Sequence, residues 1–175
     1  MSVISAGNTT TTGFVVNSDT TGNLVFATSG ANTVAVTIAS NQTTGFNATI
    51  LEKANATATA MGANVNYDIL TQPILLYTAN ATANSTINFR GNSTVTLNSI
   101  MNNNQSLSVV FLNTNGATAY LPTVFQADGV AVTPKWQGGS APTTGNTLSV
   151  DSYVFSFIKT ANATYTVLAS QSQFK

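Results

Sequence analysis

Apolar side chains return at every second residue along much of this chain: Val65, Tyr67 and Ile69, then Ile87 and Phe89, then Val95 and Leu97 each alternate with polar neighbours. A period of two sends successive side chains to opposite faces of an extended backbone, so these stretches are expected to be strands with one buried and one wet or interfacial face. Leu107 to Leu112 and Tyr153 to Ile158 are apolar on both faces and predict central strands. Tyr165 to Ala169 follows the turn Thr160-Ala161-Asn162-Ala163, an arrangement that predicts an antiparallel hairpin with the strand before it. Asn113 to Gly116, Asp128-Gly129 and Gly138 to Pro142 punctuate the strands as turns and loops. One helical turn near Ser99-Ile100-Met101 is the sole helical signal. The pattern predicts an all-β chain whose residues 64–175 form an antiparallel β-sandwich, jelly-roll-like in its connections.

Upstream, Thr-Thr-Gly recurs at Thr11-Thr12-Gly13, Thr20-Thr21-Gly22 and Thr43-Thr44-Gly45. The first two introduce Phe14-Val15-Val16 and Leu24-Val25-Phe26, and Val34, Val36 and Ile38 follow in alternation. Residues 1–50 are therefore expected to form an N-terminal β module, too short for a comfortable core of its own and suited to docking or oligomerisation. Residues 51–63 carry Ala54, Ala56, Ala58 and Ala60 interleaved with Asn55, Thr57 and Thr59. Period outweighs alanine's helix propensity here and predicts a connector strand, one whose small side chains let another backbone or a partner subunit approach.

Composition narrows function more than fold. Five cations balance five anions among 175 residues, so no basic face for nucleic acid or an anionic membrane can be assembled. With neither histidine nor cysteine, the chain has no disulfide, thiolate nucleophile or ordinary zinc site, and lacks the usual proton carrier near neutrality. Asp19, Glu52, Asp68, Asp128 and Asp151 stand more than 15 residues apart, and a glycosidase dyad would require two of them to converge in space. No Ser-x-x-Lys pattern, phosphate loop or acidic calcium loop occurs. We expect a non-enzymatic protein without cofactor or metal. Disorder is disfavoured because the chain is 43% apolar and electrically balanced, whereas disordered chains combine low hydrophobicity with high net charge. Met1 to Gly7 hold neither a cationic stretch nor a secretory apolar run, so a mature start is expected, and no apolar run reaches membrane-spanning length, so neither is membrane insertion. Nine Asn-x-Ser/Thr triplets reflect the abundance of Asn and Thr on strand faces.

Three residues are candidates for surface recognition. Trp136, the single tryptophan, lies in Thr133-Pro134-Lys135-Trp136-Gln137-Gly138-Gly139, where an aromatic face and the amide of Gln137 could stack on and hydrogen-bond a sugar ring. The competing role for Trp136 is to close one end of the sandwich. Tyr120 has the same two readings.

From about Leu51 onward the chain resembles a domain of virion structural and tail-fibre-like proteins of marine cyanophages and related tailed phages. The resemblance is carried by Ile69 to Gln72, Tyr77 to Asn84, Ile87 to Ser93, Thr118-Ala119-Tyr120, Asp128-Gly129, Val132 to Pro142, Ile158-Lys159-Thr160 and Tyr165 to Gln171. Asp19 to Leu24 also resembles the Thr-rich strand units that precede this domain in such proteins. The resemblance implies a virion location, a homo-oligomer with a trimer favoured, and other capsid or tail proteins as partners. It brings no catalytic residues. The domain usually ends a longer fibre, and with about fifty residues before it the chain fits a compact subunit that decorates or cements the capsid, or forms a short head or tail appendage. The alternative is a receptor-binding adhesin of tail-fibre type that recognises a glycan or protein on the host surface.

Overall fold

The structure is a computed structural model that describes residues 22–27 and 34–175. The chain separates into two units, residues 1–51 and 52–175. Among the described residues the first unit holds a three-stranded antiparallel sheet of β1 (Leu24–Ala27), β2 (Val34–Ile38) and β3 (Thr44–Phe46). The β2–β3 turn is fastened by the Asn41 carboxamide oxygen, which accepts from the Thr43 amide at 3.1 Å and its hydroxyl at 2.7 Å. Val25, Phe26 and Phe46 stay about half exposed, as expected of a sheet this small. The Phe14-Val15-Val16 segment and the first Thr-Thr-Gly unit lie outside the described residues.

The regular structure of the second unit is nearly all strand and forms two sheets. Its elements are β4 (Ala54–Ala60), β5 (Asn64–Asp68), β6 (Ile74–Asn80), β7 (Ser85–Arg90), α1 (Leu97–Ile100), β8 (Ser106–Asn115), β9 (Pro122–Ala127), β10 (Val130–Ala131), β11 (Lys135–Trp136), β12 (Ser149–Ala161) and β13 (Thr164–Phe174). One sheet runs β10-β9-β7-β5 and the other β11-β13-β12-β8-β6-β4.

Strand direction departs from the antiparallel, jelly-roll-like expectation. Successive strands from β4 to β9 alternate between the two sheets, so each strand's neighbour within a sheet comes one full winding later. Pairs β4–β6, β6–β8, β5–β7 and β7–β9 are consequently parallel. Only afterwards do antiparallel pairs appear: β9–β10 across Asp128-Gly129, β8–β12, and the long β12–β13 hairpin. The physical reason is connection geometry. A short link that crosses to the opposite sheet produces parallel partners, whereas one that turns back in its own sheet produces a hairpin. Both leave the same alternation in the sequence.

Within residues 51–63 the expected strand forms as β4, which is the edge strand of the six-stranded sheet and not a link outside it. Val95 and Leu97 form no strand. The Asn92 side-chain oxygen takes the amides of Thr94 and Val95, each at 2.8 Å, which turns the chain, and α1 follows. Thr96 caps this helical turn through its hydroxyl, while the Asp128 carboxylate accepts from the amides of Leu97 at 2.6 Å and Asn98 at 2.9 Å. At its other end the buried Lys159 ammonium donates to the carbonyls of Asn98 at 2.6 Å and Met101 at 2.7 Å.

One core lies between the two sheets, filled by register columns that the parallel winding stacks. In the four-stranded sheet Val65, Ile87 and Phe125 form one column and Tyr67, Phe89 and Ala127 the next. Leu75, Phe111 and Tyr153 form a facing column. Phe89 is the hub: its ring lies 4.9 Å from Phe155, 4.8 Å from Phe157 and 5.4 Å from Tyr67. The buried Tyr67 hydroxyl sits 2.8 Å from the carbonyl oxygens of both Pro73 and Val110, and burial pushes its ionisation well up. Polar columns follow the same register. Asn88 donates to Asn66 at 3.3 Å, and Arg90 pairs with Asp68.

Candidate functional site

Trp136 and Gln137 come together at one margin of the six-stranded sheet. Strand β11 pairs in parallel with β13, setting Lys135 beside Leu168 and Trp136 beside Ala169. The half-buried indole meets Phe125 at 5.7 Å and Phe155 at 6.1 Å, both edge-on, so one side of Trp136 closes the core. Its other side borders an open groove of about 360 Å³ lined also by Gln137, Val154, Leu168 and Ala169. Gln137 begins the 3-10 turn Gln137–Gly139, whose Gly138 and Gly139 adopt φ of 79° and 86°. Those left-handed conformations suit glycine and let the chain bend sharply away. A second, more polar groove of about 420 Å³ shares Trp136 and Gln137 and adds Ser140, Pro142, Gln171 and Ser172. Both roles considered for Trp136, core closure and surface presentation, are therefore available to a single side chain.

Tyr120 lines neither groove. Its amide donates to the Asn115 side-chain oxygen at 3.0 Å and its carbonyl accepts from Asn113 at 3.2 Å, so its backbone is tied into a buried polar cluster. The structure thus separates Tyr120 from the Trp136–Gln137 pair. Val154 and Leu168, which do line the groove, were not singled out by sequence, although their signal was present: both are apolar residues at the outward positions of their strands.

The grooves offer an aromatic ring, aliphatic surface, amides and hydroxyls, with Lys135 as the one charged neighbour in the first. The described acids are engaged elsewhere or stand apart. Asp68 pairs with Arg90, Asp128 caps α1, Asp151 is fully buried and Glu52 is exposed. Asp19 lies outside the described residues.

The outer face of the six-stranded sheet continues from this groove. Ser170, Val154, Val110, Ile74 and Ala54 make one outward column, and Ser172, Ser152, Leu112, Leu76 and Ala56 the next. Ser156 and Ser108 join hydroxyls at 2.7 Å alongside Leu168. Val154 is 37% and Leu168 44% exposed, and these columns contain no ionisable side chain. The face can therefore adhere by apolar burial and hydroxyl contacts, with Lys135 beside Leu168 at its margin as the one charge to desolvate.

No protein-family model, curated protein or solved structure matches this chain.

Proposed function

We propose that the chain is a non-enzymatic structural subunit of a phage virion, which decorates or cements the capsid or forms a short head or tail appendage and assembles with copies of itself, three in the favoured arrangement. The observation that carries this reading is the outer face of the six-stranded sheet, bounded at one side by β4 and nearly without charge, Lys135 beside Leu168 at the opposite margin being its one ionisable side chain. Every residue of that edge strand is Ala, Asn or Thr, without the charge or proline that commonly protects an edge from pairing. A second copy is the occupant this face suits, because two surfaces that each carry only Lys135 at one margin meet with little like-charge penalty. Self-association should be nearly insensitive to salt, since screening has little to act on. We expect sedimentation at low and high ionic strength to give the same oligomer. Leu168→Lys should weaken it at least about tenfold, equivalent to about 1.4 kcal/mol. A monomer at every concentration, or an oligomer dissolved by salt, contradicts the reading.

The Trp136–Gln137 groove favours one alternative, a receptor-binding adhesin that takes a host-surface glycan or protein. Labelled protein offered both to particles lacking it and to intact host cells separates the two. Particle binding supports decoration, and cell binding that is lost in Trp136→Ala supports adhesion.

A further inference from the structure

We propose that Asp151 is held as a neutral carboxylic acid whose proton, on Oδ1, is donated across the β8–β12 pair to the side-chain oxygen of Asn113, making this end of the sheets a pH-sensitive latch. Asn113 and Asp151 are both 0% exposed and are direct register partners on adjacent strands, where Cβ atoms lie about 5 Å apart. Asp151 Oδ2 is satisfied by the Asn115 amide group at 3.0 Å and the Asn146 amide at 2.9 Å. The orientation of Asn113 follows from its neighbours. Asn115 Oδ1 is identified as oxygen by the Tyr120 N–H it accepts, so Asn113 must turn its nitrogen toward it, at 3.1 Å, and toward the Tyr120 carbonyl. That leaves Asn113 Oδ1 and Asp151 Oδ1 as two buried acceptors without a donor. One proton on Asp151 satisfies both.

A proton also requires no room. A methyl group placed on Gly145, in the loop over the cluster, would lie 2.9 Å from Asp151 Oδ2, 2.9 Å from the Tyr120 carbonyl and 3.0 Å from Asn115 Nδ2, so this loop is closely packed. The surroundings do little to hold a negative charge. Strand β8 presents the amides of Asn113 and Asn115, and β13 places Gln173 opposite. On β12 itself the Ser149 hydroxyl gives its proton to the Asn146 carbonyl at 2.7 Å, and the Tyr153 phenol accepts from Gln171 at 2.9 Å. Lys175, which borders an open groove with Asn115 and Ser149, is the cation on this side. Burial pushes the Asp151 carboxyl above its ordinary 3.8, against the lowering effect of the hydrogen bonds from Asn146 and Asn115.

A carboxyl raised in the folded state contributes stability that is complete below 3.8 and is lost as pH rises through the folded value. The latch joins β8, β12 and the loops carrying Tyr120 and Gly145, so raising the pH should loosen these parts first. Carbon-detected NMR of the wild-type chain tests this directly. We expect the Asp151 carboxyl to titrate well above the ordinary carboxylate range, and Asp151→Asn, which supplies an N–H in place of the O–H, to flatten the fall in thermal midpoint between about pH 4 and pH 8. Titration at or below the ordinary value would mean that a water or a cation supplies the missing partner, and would overturn the proposal. So would an Asn variant with the wild-type pH profile. If that variant fails to fold, the wild-type titration alone decides.

Discussion

Phe89→Ala should remove about 3–5 kcal/mol of stability, the largest loss expected from any single truncation in the second unit. Phe89 is fully buried, and its ring meets Phe155, Phe157 and Tyr67 at centroid distances of 4.8 to 5.4 Å. Those partners come from both sheets, so the cavity left behind cannot be filled by one strand moving alone. Against a typical total of about 5–15 kcal/mol, such a loss brings the fold near its limit. Urea unfolding followed by the fluorescence of the half-buried Trp136 measures it. Val124→Ala, at a 45% exposed position in the neighbouring strand, should cost less than about 0.5 kcal/mol. A Phe89→Ala loss below about 1 kcal/mol would mean that the two sheets are not held by this aromatic hub.

Lys159→Met should be next, at about 2–4 kcal/mol. Methionine keeps much of the stem volume, so the loss isolates the ammonium, whose two bonds end α1 at the carbonyls of Asn98 and Met101. Without it two acceptors stand unpaired in a site where Lys159 is only 6% exposed. The exposed Lys135 provides the comparison, since Lys135→Met should move the unfolding midpoint little. Equal effects at the two lysines would show that α1 does not depend on its buried cation.

Where strands lie was largely legible in the sequence. The two stretches apolar on both faces fall within β8 and β12, and the turn at Asn162-Ala163 joins β12 to β13. Beyond that antiparallel hairpin, which strands pair, and in which direction, was not legible, because period two records only which face a side chain occupies. The winding hides for a second reason. The register partners Ala54, Ile74 and Val110 are spaced 20 and then 36 residues apart, the longer winding having absorbed α1 and its flanking turns, so no repeat of fixed length appears. The Asx turn at Asn92 and the cap from Asp128, 32 residues beyond Thr96, overrode the alternation at Val95 and Leu97; the second of these is a tertiary contact that no local pattern contains. At the site, Trp136 and its glycine-rich exit were visible as a lone aromatic before a bend. Tyr120 looked equivalent, yet the side chains that fix its backbone lie on β8, and only the folded chain shows that they draw it into the polar cluster.

The order in which the chain can close on itself follows from the alternating path of β4 to β9. Apart from the two-residue pairing of β9 with β10, none of those strands has a sheet neighbour within its own hairpin, so an early pair must enclose a loop of about twenty residues or more before it gains a contact. The β12–β13 hairpin encloses only Asn162 and Ala163 and carries eleven register pairs. This hairpin is thus the natural nucleus, and the windings ahead of it add onto a template that is synthesised after them. A ribosome-bound chain on which β12 and β13 are not yet made holds Phe89 without the rings of Phe155 and Phe157 and Phe111 without that of Tyr153, the interval in which a chaperone would have most to protect.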